Sequence, residues 1–497
     1  MTNSIIDKLC EFRNRLFDLF IYRADSTMDL IDAIAGQVSK ESIVKLSLNE
    51  LFRRSYSSIT DVVDNLFRRK ANKNPKPNEL LEDQMKITNL ISEQCPKLVS
   101  RPFHLFAIDC SSTPRIYSDK MEDRGFVHSP TKVPGQKPVT VGHQYSTLVY
   151  LPERLEPSNP HWVIPLSVVR VKTEESGTSV GMTQISQTVT NTSFKDHLCL
   201  VTCDSAYSHT NNVMQIDQVK NLVFASRMRN NRKFYTQLPG SCTANSKKKR
   251  GRPKVYGESW VLNNPGNADE CEIIDYTTAS GKVFKMKIER WCDRIDKGKI
   301  NKPSESAEQE NTDKTEDEVV SICFDAIRVT MFKSNGKPAY KKPLWIMVTG
   351  DRRREICLKD IAISYLQRFD IEHFFRFAKQ KLLLTSFQTP DVRHEENWWW
   401  LCIMSYVMLY LSRTLGEHII NPWEKKLNKK NNEIMSPTQI QRSYERIIRR
   451  IGTPSCFPKP RGKSVGRVKG TVLPKRIDRA IIKKSKKPSK RKESAAA

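Results

Sequence analysis

The stretch "YLQRFDIEHFFRFAKQKLLL", residues 365–384, decides how the chain is to be folded. It reads as one helix. Its aromatics and leucines demand burial, yet Tyr365, Arg368, Glu372 and Lys379 interrupt them with long polar groups. At about 100° per residue these four fall at roughly 0°, 300°, 340° and 320°, one narrow stripe. Phe374, Phe375, Ala378 and Leu382 point elsewhere and can pack. Two readings are open. The helix buries one side and aims a polar row into a cleft, or the row is a solvated face with ordinary intrahelical pairs, Arg368 to Glu372 being one at i,i+4.

Working outward, the segments upstream read as strands. "FHLFAID" (103–109) is a compact apolar run ending in Asp109, and "HQYSTLVYL" (143–151) and "HWVIPLSVVRV" (161–171) read as two more strands. "HLCLVTCD" (197–204) is a fourth, ending in Asp204. A short helix, "NNVMQIDQVK" (211–220), and a strand, "NLVFASRMR" (221–229), follow. Three strands and then alternating helix and strand describe an α/β sandwich around a mixed sheet, over residues 100–229 and again over 341–415. Residues 230–340 interrupt it with turn residues and strand-like pieces, and read as an inserted β-rich domain. The polar run "NKPSESAEQENTDKTEDE" (301–318) within it is expected to be a disordered acidic loop. "PLWIMVTG" (343–350) returns to the sheet, and "WWWLCIMSYVMLYLSRTLG" (398–416) is an apolar core helix.

The ends of the chain differ from this core. Residues 1–95 read as short helices, with Ile5, Ile6, Leu9, Phe12, Leu16 and Phe20 at helical spacing. "STMD", "SLNE" and "SITD" each set Ser three residues before an acid, a helix-start signal. This helical domain either binds DNA or simply packs. Residues 416–497 form a C-terminal region whose Lys/Arg-rich tail is expected to be a flexible polyanion-binding arm.

Bulk composition narrows the partners. The 497 residues carry a net charge of +28, which points to a polyanion, nucleic acid first. No stretch approaches the ~18 uninterrupted apolar residues of a spanning helix, so no membrane is expected, and the N-terminus is not a secretory signal. The twelve cysteines form no C-x-x-C pair and read as reduced, cytosolic thiols.

Asp109 and Asp204 each end a strand, at the sheet edge where ligands bind in α/β folds. Glu372 would supply a third carboxylate. Three converging carboxylates form an oxygen-ligand site for Mg²⁺ or Mn²⁺, and two such ions about 3.5–4 Å apart drive phosphodiester displacement. Arg368 and Lys379 would then hold phosphates, and Tyr365 would hydrogen-bond one or stack on a base.

With these residues in hand, the chain resembles a DDE transposase of the cut-and-paste bacterial insertion-sequence type. One group there carries Y-x2-R-x3-E-x6-K, matched by Tyr365, Arg368, Glu372 and Lys379. Its catalytic, metal-binding acids match Asp109 in "FAIDCSS", Asp204 in "VTCDSAYS" and Glu372. Phe369 stands where a Trp often follows the Arg. The resemblance implies a ribonuclease-H-like catalytic core with a β-rich insertion between the second Asp and the Glu. It also implies cleavage at element ends, strand transfer into target DNA, a homodimer on DNA and a place in the bacterial nucleoid. The alternatives are a nuclease of the same architecture that does not join, or a domesticated derivative that only binds DNA.

Within the insertion, "KKKRGRPKVYG" (247–257) holds Arg250-Gly251-Arg252-Pro253, an AT-hook core that lays arginines along an A·T minor groove. A solvated basic loop is the alternative. Arg227, Arg229 and Arg232 are candidate phosphate contacts. Trp260 and Trp291 are candidates for stacking on a flipped base, as the resemblance suggests, or else core aromatics. His143 and His373 read as structural histidines.

Overall fold

A computed structural model describes residues 2–38, 42–69, 74–129, 135, 137–216, 218–238, 256–303, 315–415, 434–460, 468–472 and 475–484. Strand β1 (His104–Pro114) lies at the heart of a twelve-stranded mixed sheet. Strands β2 (Gly125–His128), β3 (Val139–Tyr150) and β4 (Ile164–Val171) lie to one side. To the other lie β5 (Cys199–Cys203), β6 (Leu222–Arg227) and β12 (Leu344–Thr349). β3 pairs antiparallel with β1, β2 and β4. β1, β5 and β6 run parallel. Their near-continuous apolar residues suit a sheet covered on both faces.

Helices lie on both faces, as β3 shows. Consecutive strand residues face opposite ways. Tyr145 stacks on Trp399 of α10 (Val392–Ser412) at 4.4 Å, while its neighbour Ser146 donates to Gln184 of α6 (Gly177–Asn191) at 2.8 Å. The N-terminal helices α1 (Thr2–Asp18), α2 (Ala24–Ala35), α3 (Ile43–Leu46), α4 (Ser57–Asn65) and α5 (Pro77–Ser92) continue the same core, with α2 laid on α10. Ser405 of α10 donates to the Ile31 carbonyl at 3.1 Å. A buried Arg13–Asp32 pair at 2.5 Å, with Tyr444 of α11 (Pro437–Ile451) on the same aspartate, ties both ends of the chain together. The helix starts differ from the sequence reading: Ser26 of "STMD" and Ser58 of "SITD" lie just inside α2 and α4, whose N-caps are Arg23 and Tyr56, and "SLNE" starts no helix. Ser47 follows α3 and donates to the Val44 carbonyl, whereas Ser42 supplies the cap.

The segment between β6 and β12 holds β7 (Lys233–Thr236), β8 (Ser259–Val261), β9 (Glu270–Thr277), β10 (Val283–Pro303) and β11 (Thr315–Phe332). β10 and β11 form a long antiparallel ribbon with a bulge at Trp291/Arg294. It joins the sheet through β11 and β12. The polar run 301–318 is a correction in part. The ladder extends to Pro303 paired with Thr315, because pairing is made by backbone groups whatever the side chains. Residues 304–314 lie outside the described residues.

The tail also departs from a free arm. Residues 475–484 run beside β2, with the Arg479 and Ile482 N–H groups donating to Asp119 and Arg124 carbonyls at 2.8 Å each. Arg479 pairs with Glu122 at 2.6 Å, and Lys120 pairs with Asp478. The rest of the arm from 485 onward is outside the described residues. Among the described residues, no helix is long and apolar enough to cross a membrane.

Candidate active site

The opening stretch forms two helices rather than one. α8 (Leu358–Gln367) gives way to α9 (Asp370–Lys381). At the junction the i→i−4 bonds are replaced by i→i−3 bonds from the N–H groups of Arg368, Phe369, Ile371 and Glu372. No Gly or Pro marks the break. It is held from outside: Gln367 donates to the Pro152 carbonyl at 2.7 Å, and buried Asp370 takes Arg154 and His161 Nδ1 (2.7 Å). The uniform 100° step of the sequence reading therefore fails across Arg368.

The consequence for Tyr365 is a correction. It is 6% exposed, and its hydroxyl donates to the Cys203 carbonyl at 3.1 Å. Its ring cannot stack on a base. It braces the end of β5, one residue before Asp204.

Asp109 and Asp204 come to the same edge. Ala107 of β1 lies beside Thr202 of β5, and each aspartate follows two residues on. Local amides orient them: Cys110 N–H donates to Asp109 Oδ1 at 2.8 Å, and Ala206 N–H to Asp204 Oδ1 at 2.9 Å. α9 packs on β1 and brings Glu372 from its first turn. Burial, then the charges of Glu372 and Asp204, push the Asp109 carboxyl up to about 7, against the Cys110 amide and Arg368. Among the described residues, no three His, Cys, Asp or Glu side chains stand close enough to ligate one ion. The three carboxylates interact at longer range.

Two cations border the acids. Burial opposes the Arg368 charge, but Tyr365, Asp109 and Asp204 outweigh it and hold its proton more tightly than usual. Its guanidinium lies 5.9 Å from the Tyr365 ring centre. Burial lowers the Lys379 pKa, offset in part by Glu372 and Asp109. Neither Arg368 nor Glu372 forms an ion pair among the described residues, so the pairing expected of a solvated face is not made. A partly buried carboxyl pushed up first by burial and then by like charges, with cations at its edge, is short of positive charge. That donor set suits a hard divalent cation.

The other candidates separate. Trp260 and Trp291 are corrected to core residues, 6% and 0% exposed, in a small cluster with Phe234, Phe324 and Trp345. Their indole N–H groups donate to the Pro265 and Gly266 carbonyls, so neither ring is open to a base. Arg232 is tied to Asp296 and Ser208, whereas Arg229 is exposed and reaches Ser205 Oγ at 3.4 Å. Arg227 is exposed. Arg250 and Arg252 lie outside the described residues. His143 joins Glu395 and the Glu122 carbonyl, and His373 stacks on His161. Sequence reading missed the pair that anchors the end of β1, Arg115 with Glu395 of α10 at 2.5 Å. Nothing in the sequence links groups so far apart.

No curated protein matches the chain. A family described as DDE superfamily endonuclease matches residues 17–291, more than half of the chain and a span that includes Asp109 and Asp204. The chain belongs to the DDE superfamily endonucleases.

Proposed function

We propose that this endonuclease is a DNA transposase that cuts phosphodiester bonds at the ends of a DNA element and joins the freed 3′-OH to target DNA. The observation that supports the reading is that the charges of Asp204 and Glu372, carried on two other elements, reach Asp109, with Arg368 and Lys379 alongside. The core is read as ribonuclease-H-like. Its strand order β4-β3-β1-β5-β6, three antiparallel strands followed by two parallel, supports this, with residues 230–340 as the insertion.

Asp109, Asp204 and Glu372 would hold Mg²⁺ or Mn²⁺, two ions in the full site. Mg²⁺ keeps several waters and takes only one or two carboxylates, so the acids can divide the ions between them. When bound, the ions activate the attacking oxygen and stabilise the leaving one. The protein does the rest. Asp109 must give up its proton to become a ligand. Arg368 offers a two-pronged donor to a phosphate, and Lys379 a point charge. Tyr365 keeps the strand end beneath Asp204 in place. Arg250 and Arg252 are proposed contacts to an A·T minor groove.

Incubating purified protein with element-end DNA and Mg²⁺ tests the reading. Cleavage at the element boundary and joined products in a target plasmid are expected. Cleavage without joining would reduce the enzyme to a nuclease, and the absence of both would refute the proposal.

A further inference from the structure

A groove of about 810 Å³ opens two residues beyond Asp204, at Ala206. One wall is the loop that follows Asp204, from Ala206 to Asn212. The other is the insertion, with Lys233 and Tyr235 of β7 and Lys297 of the ribbon strand β10. Two contacts fix the walls to each other. Asp296 on the ribbon accepts from Thr210 Oγ1 at 2.6 Å and pairs with Arg232. A Cβ at Gly298 would lie 2.7 Å from Thr210 Cβ, so ribbon and loop meet where only glycine fits without displacement.

The charges along this groove do not cancel. Asp296 is matched by Arg232 at the floor. Arg229, Lys233 and Lys297 are exposed, and none forms an ion pair among the described residues. Lys297 lies 4.4 Å from the Tyr235 ring centre, which holds it at the mouth. Cations without counter-charges, in a cleft walled by the loop that follows Asp204, fit a chain of phosphates.

We propose that this groove between the ribbon and the loop after Asp204 carries the phosphate backbone of the bound DNA, independently of its sequence, through Arg229, Lys233 and Lys297. The identity of the polyanion as DNA rests on the function proposed above. The insertion is then part of the DNA path, and Arg232, one of the candidate phosphate contacts, instead serves to close its floor. Bound here, a strand would lie against the loop that follows Asp204.

The test is binding of full-length protein to a random-sequence duplex by fluorescence anisotropy, in EDTA, over a range of salt. Without metal nothing is cut, so the result does not depend on whether the acids catalyse. The combined variant Arg229→Ala, Lys233→Ala and Lys297→Ala is compared with Lys333→Ala, Lys337→Ala and Lys342→Ala. The latter loses equal charge at the other end of the ribbon. Both are checked for an unchanged Tm. At about 0.9 per phosphate contact, the slope of log Kd against log salt should fall by about 2–3 for the groove variant and stay level for the distal one. Equal falls, a fall only in the distal variant, or no fall in either would overturn the proposal.

Discussion

Strand β1 passes through two charged clusters that are opposites. Near its end, Arg115 and Glu395 are each 1% exposed and fully engaged. Burial raises the Glu395 pKa, but the His143 hydrogen bond and the Arg115 charge outweigh it and hold it below the usual carboxylate range. Six residues earlier, Asp109 is half-buried, and burial with the charges of two more acids drives it up to about 7. One cluster contains its own counter-charges and holds α10 to the sheet. The other lacks them. A charged site left incomplete by the protein is where a ligand is to be expected, whereas a completed one serves the fold.

The largest effect that separates the two is on chemistry. Asp109→Ala, Asp204→Ala and Glu372→Ala should each lower cleavage on the order of 10³-fold or more, beyond the ~10–100-fold typical of groups that act through a ligand. DNA affinity, carried by Lys and Arg, should stay near wild type. Retained cleavage in any one variant removes that residue from the site.

The second contrast is in stability. Glu395→Gln leaves Arg115 buried without its partner and should cost about 3–5 kcal/mol in denaturant unfolding. Asp109→Asn should instead raise Tm in metal-free buffer. The pH signs are opposite as well. The Asp109 carboxyl is raised in the folded state, so its favourable contribution is complete below the ordinary aspartate value and lost as pH rises through about 7. The advantage of Asp109→Asn should therefore grow from pH 4 to pH 8. Glu395 is depressed, so its contribution is present above the ordinary glutamate value and lost as pH falls through its lowered one. A destabilised Asp109→Asn would erase the distinction between the clusters.

Smaller effects sharpen it. Arg368→Lys keeps the charge but loses the fork, and should slow cleavage roughly 10–100-fold, the equivalent of one charge-assisted hydrogen bond. A rate equal to wild type would leave Arg368 with a point-charge role only. Tyr365→Phe removes the donor to the Cys203 carbonyl and should cost about 1 kcal/mol of stability. It should also raise the metal concentration needed for half-maximal cleavage, with DNA Kd unchanged. A weakened Kd at unchanged metal demand would put the hydroxyl on the DNA after all.

These residues show what the sequence could disclose. The shared edge of Asp109 and Asp204 was legible because each closes an apolar run, and parallel neighbouring strands bring their ends together. Glu372 was singled out only by its spacing from Tyr365, Arg368 and Lys379. The break at Arg368 was not, since it is imposed by Asp370, Arg154 and His161 rather than by Gly or Pro. Burial of Tyr365, Trp260 and Trp291 depends on what packs over them, which local pattern does not record. The same holds for Arg115 and Glu395, brought together only by the fold. The ribbon outran its apolar pattern because backbone pairing carried it into polar sequence.

The central claim is that Asp109, Asp204 and Glu372 form a site completed by a divalent cation. Thermal unfolding in increasing Mn²⁺, at pH 8, compares wild type with the combined variant Asp109→Asn, Asp204→Asn and Glu372→Gln. The account predicts a Tm that climbs with Mn²⁺ in wild type, as binding to the folded state requires, and stays flat in the variant. An equal climb in both, or none in wild type, would contradict it.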